Sequence, residues 1–239
     1  MIDFIRLFSS EPSQCSYLPD QTSRLPMNLP SRALEPMDFD RLMESGYRRS
    51  GAFYYNTQCP HCQACQPIRL EVAKFCPNRS QRRAIAKSSH LRFELCQPSI
   101  DQPRVDLFNL HRQQRGLAKD DSPISAQDYA AFLLPVHNGS LELSVWMAER
   151  LIAVSITDVG LQCLSAVYCF FDPNYSNFSL GTLCVLKQIE LAQLNHLRWL
   201  YLGYYVAANA HLSYKSNFRP HQMRIDGQWQ DGEDSGSTQ

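Results

Sequence analysis

Three closely spaced cysteines are the residues whose spacing most clearly indicates chemistry. Cys59, Cys62 and Cys65 lie three positions apart on a proline-flanked turn. This spacing lets successive thiolates converge on one metal ion, because the intervening amides fold around it. A fourth ligand is needed, and Cys15 is our candidate. Four thiolates suit zinc and an iron–sulfur cluster alike, and the alternative is a knot of cysteines without metal.

A basic segment follows the cysteines. Residues 69–92 hold seven Lys or Arg residues and the single acid Glu71, although the whole chain has 23 basic and 23 acidic residues. Arg79, Arg82 and Arg83 belong to this segment, and guanidinium groups bind phosphate through forked hydrogen bonds. A neutral chain does not suit nonspecific coating of nucleic acid. The segment therefore indicates one defined anionic partner, with a solvated helix face as the alternative.

Cationic and aromatic residues of the C-terminal half form a second candidate group. Gly203 lies between aromatic residues in a predicted strand, where a missing side chain permits close approach of a ligand. Lys215 and Arg219 follow closely and are suited to gripping a carboxylate. Tyr168 and Asp172 lie near the end of another predicted strand. The alternative is an aromatic core strand followed by a surface helix.

The elements that must position these residues predict an α+β fold. Residues 141–148, 151–158 and 164–171 are β-rich runs separated by short turns, which predicts an antiparallel meander. A helix over residues 182–196 and a strand over residues 199–206 follow. Two helices, a meander, a long helix, a strand and a helix form the order typical of an acetyltransferase-like domain of the GNAT type.

This order of elements divides the chain into three predicted parts. The N-terminal part is smaller and contains the cysteine cluster and the basic segment. The C-terminal part is the acetyltransferase-like domain, and the acidic, Gly- and Ser-rich end is predicted to be disordered. The predicted bounds are residues 1–95, 96–230 and 231–239.

Composition indicates a cytoplasmic protein. The chain has nine cysteines, an odd number, and its first residues lack the apolar core of a signal peptide, which argues against a secreted disulfide protein. The longest apolar runs have the length of a strand and fall far short of a bilayer span, so we expect no membrane partner.

Ordered motifs along most of the chain resemble those of the aminoacyl-tRNA–protein transferases. The N-terminal motifs are Cys15-Ser-Tyr-Leu-Pro19, Gly46-Tyr-Arg-Arg-Ser-Gly51, the Cys59 to Arg69 segment and Ser80-Gln-Arg-Arg83. The C-terminal motifs are Leu164-Ser-Ala-Val-Tyr168, Phe171-Asp-Pro173, Ser179-Leu-Gly181, Tyr201-Leu-Gly-Tyr204 and Tyr214-Lys215 with Arg219-Pro220. The compact bacterial form of the family, the aspartate/glutamate leucyltransferases, is most similar.

The resemblance implies transfer of leucine from Leu-tRNA to the N-terminal Asp or Glu of acceptor proteins, which marks them for degradation. The donor is an activated ester, and an α-amine with a pKa of about 8 is neutral in roughly a tenth of molecules at about pH 7. The enzyme then mainly positions its substrates and stabilises an oxyanion. The reaction requires no nucleophilic residue and no cofactor.

The resemblance also implies roles for individual residues. Lys215 and Arg219 would hold the acceptor carboxylate, and Tyr168 or Tyr204 would supply a polarising hydroxyl. Asp158 or Asp172 would orient the attacking amine. The tRNA 3′ end would contact the basic segment at Arg79, Arg82 and Arg83.

Three other activities remain open. Eukaryotic relatives transfer arginine rather than leucine. A coenzyme A-dependent N-acyltransferase would share the fold, but it needs a glycine-rich loop at the start of the long helix, and residues 179–182 hold one glycine. A zinc-ribbon nucleic-acid-binding protein would need two metal knuckles and a basic bulk.

Overall fold

The computed structural model of the chain describes residue 2 and residues 4–8, 11–117, 122–134 and 139–232. The α-helices in these residues are α1 (Pro36–Glu44), α2 (Arg79–Lys87), α3 (Gln102–Gln114), α4 (Ala126–Leu133), α5 (Leu180–Leu194) and α6 (Ala210–Ser213). Short 3-10 helices cover Val72–Lys74, Pro173–Phe178 and Tyr214–Asn217.

Strands occur in both halves of the chain. Those of the N-terminal half are β1 (Phe4–Phe8), β2 (Ser13–Gln14), β3 (Thr22–Ser23), β4 (Met27–Pro30), β5 (Arg48–Ser50), β6 (Phe53–Tyr55), β7 (Gln66–Glu71) and β8 (Arg92–Cys96). Those of the C-terminal half are β9 (Ser140–Met147), β10 (Arg150–Val159), β11 (Cys163–Phe171), β12 (Trp199–Tyr205), β13 (His221–Ile225) and β14 (Gln228–Asp231).

One mixed sheet of eight strands organises the molecule. Its order is β14-β13-β7-β12-β11-β10-β9-β8. Strands β9, β10 and β11 form an antiparallel meander, and β11 pairs with β12 in parallel. Strand β7 comes from the N-terminal half yet lies between β12 and β13. A second sheet, of order β1-β4-β6-β5, and the β2–β3 hairpin complete the strand pairing of the described residues.

Helices and the smaller sheet cover the two faces of this large sheet. Helix α5 packs on one face, where Leu186 and Ile189 meet Leu200 of β12. On the other face, α3 and α4 pack against β10 and β11 through Phe108 and Tyr129. Helix α1 lies against the adjoining part of the sheet. Burial of both faces explains why the strands of the meander carry near-continuous apolar runs.

Short-range signals set several helix ends. Ser125 caps α4: its hydroxyl accepts from the Asp128 amide at 3.1 Å, and the Asp128 carboxylate accepts from the Ser125 amide at 3.3 Å. Pro36 lies in the first turn of α1, where a missing amide hydrogen costs nothing. Gly46 follows that helix with a φ of +82°, a conformation that suits glycine.

The prediction of an α+β fold with an antiparallel meander is confirmed. Strands β7 and β8 lie in the same sheet as β9 to β14, and residue 95 falls inside β8, so one sheet contains strands from both sides of the predicted boundary. Asp231 ends β14, and residues 233–239 of the predicted disordered tail lie outside the described residues. Within the described ranges, none of the helices combines the length and apolar character needed to cross a bilayer.

Candidate active site

Arg48 of β5 reaches into the large sheet where β11 and β12 separate. The last paired residues of the two strands are Ser165 and Tyr201. From this point on, the Arg48 guanidinium forms hydrogen bonds with β11 in place of β12. Its Nη1 donates to the Ser165 hydroxyl at 3.0 Å and its Nη2 to the Ala166 carbonyl at 2.5 Å. Gly203, with a φ of +91°, leaves the space that the guanidinium needs. A buried cation therefore lies between the two parallel strands.

Lys215 provides a second cation beside Arg48. It lies in the 3-10 helix Tyr214–Asn217, and its Nζ donates to the Tyr204 carbonyl at 2.8 Å. Burial and, to a smaller extent, the charge of Arg48 lower the pKa of Lys215 to about 7, and the Cys65 thiol opposes the shift. A lysine in this position changes its charge near neutral pH.

Three tyrosines surround the two cations. The Tyr17 and Tyr55 hydroxyls are neighbours, and the rings of Tyr55 and Tyr204 lie 6.3 Å apart. Burial raises the pKa of all three hydroxyls, so they remain neutral donors. We call the group the Arg48 cluster and define it as follows: Arg48, Lys215, Tyr17, Tyr55, Tyr204 and Cys65.

Arg48 differs from the other buried arginines because it does not pair with a carboxylate of the described residues. Arg49 pairs with Asp158 at 2.6 Å, Arg69 pairs with Glu44, and Arg104 pairs with Glu142 at 2.6 Å. In the described part of the chain, no Asp or Glu oxygen lies within 4.0 Å of the Arg48 or Lys215 nitrogens. A buried cation without a counter-ion is costly, so the arrangement favours an incoming anion.

A cleft of about 370 Å³ opens beside the Arg48 cluster. Tyr204 and Cys65 line it and belong to the cluster as well. The remaining walls come from the 56–66 loop, the end of α1 and the β13–β14 turn. The cations and the cleft together form a site large enough for a substrate of several groups.

The four predicted metal ligands lie at this site. Cys15, Cys59, Cys62 and Cys65 are all free and partly buried. Burial raises the pKa of Cys65 to about 12, with the other three thiols adding to the effect, so the four are neighbours. Within the described residues, however, no three His, Cys, Asp or Glu side chains are arranged to hold a metal ion. Zinc or an iron–sulfur cluster at these cysteines therefore stays a prediction.

The basic helix α2 lies next to the loop that carries Lys215. Arg79, Arg82 and Arg83 are exposed on it. The Gln81 side chain, on the buried side of the same helix, donates to the Asn217 carbonyl at 3.2 Å. The helix therefore presents its charges to solvent beside the Arg48 cluster.

Three other predicted site residues have contacts outside the Arg48 cluster. Tyr168 packs with Phe108 and Phe132 on the side of α3 and α4. Asp172 is fully buried, pairs with Arg150 at 2.7 Å and accepts from the Asn174 amide at 2.9 Å, which makes it a cap for the following 3-10 helix.

Arg219 donates through its Nε to the Ser216 carbonyl at 3.2 Å, within its own loop. These contacts do not test the catalytic roles of Tyr168 and Asp172 or the binding role of Arg219, which stay predictions.

Arg48, Tyr17 and Tyr55 received no role from the sequence. Arg48 lies in the Gly46–Gly51 motif, and Tyr17 follows Cys15 in another motif, so their place in these motifs was the available signal. Pattern alone did not single them out, because a strand arginine beside a second arginine is ordinarily a surface residue.

Comparison with known proteins identifies the family. The family model described as "Arginine-tRNA-protein transferase, N terminus" matches residues 13–83, and the model described as "Arginine-tRNA-protein transferase, C terminus" matches residues 103–225. Proteins named aspartate/glutamate leucyltransferase are similar over nearly the whole chain. The one from Shewanella putrefaciens is 38% identical, covering 90% of this chain and 91% of its own, and the one from Vibrio campbellii is 36% identical, covering 96% and 98%.

Among solved structures, L-PGS from Bacillus licheniformis matches with a TM-score of 0.45 and 12% identity, covering 76% of this chain and 54% of its own. That similarity is too weak to assign a fold, so the GNAT type stays a prediction. The sequence matches, in contrast, extend through both halves of the chain and include the motifs that build the Arg48 cluster. The chain belongs to the arginine-tRNA-protein transferase family and is an aminoacyl-tRNA–protein transferase.

Proposed function

We propose that the chain transfers leucine from Leu-tRNA to the N-terminal Asp or Glu of acceptor proteins. The names of the relatives support leucine as the donated residue and Asp or Glu as the acceptor. The structural observation that carries the proposal is the Arg48 cluster, in which two partly or fully buried cations lie together without a carboxylate. An acidic side chain of the acceptor supplies the missing counter-ion.

Arg48 and Lys215 both bind this carboxylate, each from a different element. Arg48 is permanently charged and is fixed by Ser165 and Ala166, so it offers a rigid anchor. Lys215 adds a second donor from a different element. Hydrogen bonds between charged groups contribute about 1.5–3 kcal/mol each, which is enough to discriminate Asp and Glu from neutral residues by about tenfold or more.

Helix α2 contacts the tRNA 3′ end in this proposal. Arg79, Arg82 and Arg83 are exposed, and the Gln81–Asn217 hydrogen bond at 3.2 Å holds the helix beside the Lys215 loop. Phosphates bound there bring the aminoacyl ester toward the Arg48 cluster. Replacing the three arginines with Gln should raise the KM for tRNA and weaken its salt dependence, while the KM for acceptor peptides stays unchanged.

The transfer of the aminoacyl group needs little from the enzyme beyond correct positioning of the two substrates. The acceptor α-amine attacks the ester carbonyl, the C–O bond to the terminal ribose breaks, and the proton lost by the amine ends on the ribose oxygen. Tyr204 is a neutral donor beside Lys215, and among the described residues its hydroxyl makes one long hydrogen bond, of 3.5 Å, to the Gly46 carbonyl. It is therefore placed to stabilise the developing oxyanion. No cofactor enters this scheme.

The donor specificity is the finer part of the proposal. The matching family models carry arginine in their description, whereas the similar proteins are named leucyltransferases. We place the reaction in the cytoplasm, where aminoacyl-tRNA is available, and its product would be recognised for degradation. A coenzyme A-dependent acyl transfer is disfavoured because Gly181 is the single glycine at the start of α5.

A transfer assay tests the proposal directly. Purified protein is given radiolabelled Leu-tRNA or Arg-tRNA with peptides that begin with Asp, Glu, Gln or Ala. We expect leucine on the Asp and Glu peptides, and loss of this preference in Arg48→Gln. Arginine on the same peptides would keep the reaction and correct the donor. Transfer from neither tRNA, or equal transfer to Gln peptides, would contradict the proposal.

A further inference from the structure

The 370 Å³ cleft beside the Arg48 cluster has a lining suited to a polypeptide backbone. Side-chain amides line much of it, and an amide both donates and accepts hydrogen bonds, as a peptide group does. These amide residues are Asn56, Gln58, Gln63 and Gln66. The lining holds one cation, Arg224, and one anion, Asp226, so it lacks the positive charge that a phosphate chain requires.

Arg224, which lines the cleft, carries a donor without a partner. Its Nε is buried and makes no hydrogen bond within the described residues. Buried donors are ordinarily paired, and an unpaired one costs free energy unless a ligand completes it. Arg224 belongs to β13, and it passes close to Gly46, where an added Cβ would lie 3.3 Å from the Arg224 Cδ.

Tyr204 connects the cleft with the Arg48 cluster. It lines the cleft, its hydroxyl points to the Gly46 carbonyl at 3.5 Å, and its own carbonyl accepts from Lys215 at 2.8 Å. An acceptor whose first residue lies at Arg48 and Lys215 therefore continues past Tyr204 toward Arg224.

We propose that this cleft binds the acceptor polypeptide just after its N-terminal acidic residue, with Arg224 donating to a backbone carbonyl of the acceptor. This inference rests on the proposed function. It adds a subsite that recognises the backbone of the acceptor and not its side chains. Because amide groups and one arginine contact the backbone, the subsite accepts many sequences after the first residue. It distinguishes a polypeptide from a free amino acid or a dipeptide.

Acceptor length provides the test. For the full chain we would compare the KM of a dipeptide and an octapeptide, both beginning with Glu, in wild type and Arg224→Gln. We expect Arg224→Gln to raise the octapeptide KM about tenfold and to leave the dipeptide KM and kcat unchanged. Arg92→Gln is the matched control, because Arg92 is exposed on β8, at the opposite edge of the sheet. Equal effects on both peptides, or an effect on the KM for tRNA instead, would overturn the inference.

Direct binding separates this inference from the proposed function. Fluorescence anisotropy with the octapeptide labelled at its C-terminus needs no tRNA, and Arg224→Gln should raise its Kd about tenfold. Gln63→Ala, on an exposed part of the loop, should raise the octapeptide Kd about threefold. This variant replaces Arg224→Gln in the test if Arg224→Gln does not fold. Peptide binding without any transfer would sink the proposed function alone. Unchanged Kd in both variants would sink the subsite.

Discussion

The guanidinium of Arg48 fills the space beside Gly203 that a side chain at that position would occupy. A Cβ built at Gly203 would lie 3.0 Å from both the Arg48 Cζ and its Nη2, which is tighter than nine in ten real Cβ contacts. The φ of +91° at Gly203 also favours glycine. The glycine expected to admit a ligand thus admits an arginine of the protein itself.

Gly203→Ala should therefore displace Arg48 and reduce transfer by at least about tenfold, with a loss of about 1–3 kcal/mol in the free energy of unfolding. Gly116→Ala is the matched control, because Gly116 has a φ of +63° and nothing within 4 Å of a built Cβ. It should show the backbone strain without the loss of activity. Initial rates and urea unfolding of both variants measure this. Equal losses of activity in the two would show that backbone strain, and not the position of Arg48, matters.

Arg48 and Arg49 are neighbours in sequence, but replacement by Met should mainly reduce transfer activity at Arg48 and mainly reduce stability at Arg49. Arg49→Met leaves Asp158 buried without its partner, so it should lower the free energy of unfolding by about 3–5 kcal/mol. Arg48→Met leaves no carboxylate behind, but it leaves the Ser165 hydroxyl and the Ala166 carbonyl without their donor, so it should cost less, about 1–3 kcal/mol, while transfer to Glu peptides is lost. Chemical denaturation and transfer assays on both variants give the comparison. A large loss of stability in Arg48→Met would mean that Arg48 is a structural residue.

The pH profile of kcat/KM for the acceptor should be bell-shaped, with a maximum between about pH 7 and 8. Lys215 has a pKa of about 7, because burial and Arg48 lower it, and it must be charged to hold the carboxylate. The charged fraction of Lys215 therefore falls as the pH rises through that value, and activity declines above about pH 8. The acidic limb reflects the acceptor amine, whose pKa is about 8 and which must be neutral to attack.

Lys215→Arg keeps the charge at every pH, so the alkaline limb should move to much higher pH. Lys215→Met should lower kcat/KM across the whole range. An alkaline limb that stays in place in Lys215→Arg would assign it to another group.

His111 should make the protein less stable as the pH falls. Burial lowers the pKa of this α3 residue to about 4, with the charges of Arg115 and His211 adding to the shift and the Phe171 carbonyl opposing it. Because the unfolded chain binds a proton near pH 6.5, the stabilisation is complete above about pH 6.5 and is lost progressively toward pH 4. The loss reaches about 3 kcal/mol at most.

His111→Gln stays neutral throughout, so the difference in unfolding free energy between wild type and variant should change with pH by this amount. Urea unfolding at several pH values measures it. A difference that does not vary with pH would contradict the assignment.

Local structure was readable from the sequence wherever neighbours along the chain decide it. The Ser125 and Asp128 pair predicted the start of α4, and both hydrogen bonds of that cap are present. The β-rich runs predicted the meander, because short turns bring consecutive strands together. The β13–β14 hairpin was missed, since Met223 and Trp229 lie among polar residues that show little alternation.

The sequence by itself determined the family, the order of the main elements, the set of cysteines near the site and one of its two cations, Lys215. The tertiary structure decided which of two adjacent arginines is paired. Arg49 meets Asp158 across 109 residues of chain, and Arg48 meets Ser165 across 117 residues. Successive side chains of a strand point to opposite sides, so the two arginines enter different surroundings. Pairing over such separations depends on how the sheets pack, and no local pattern records it.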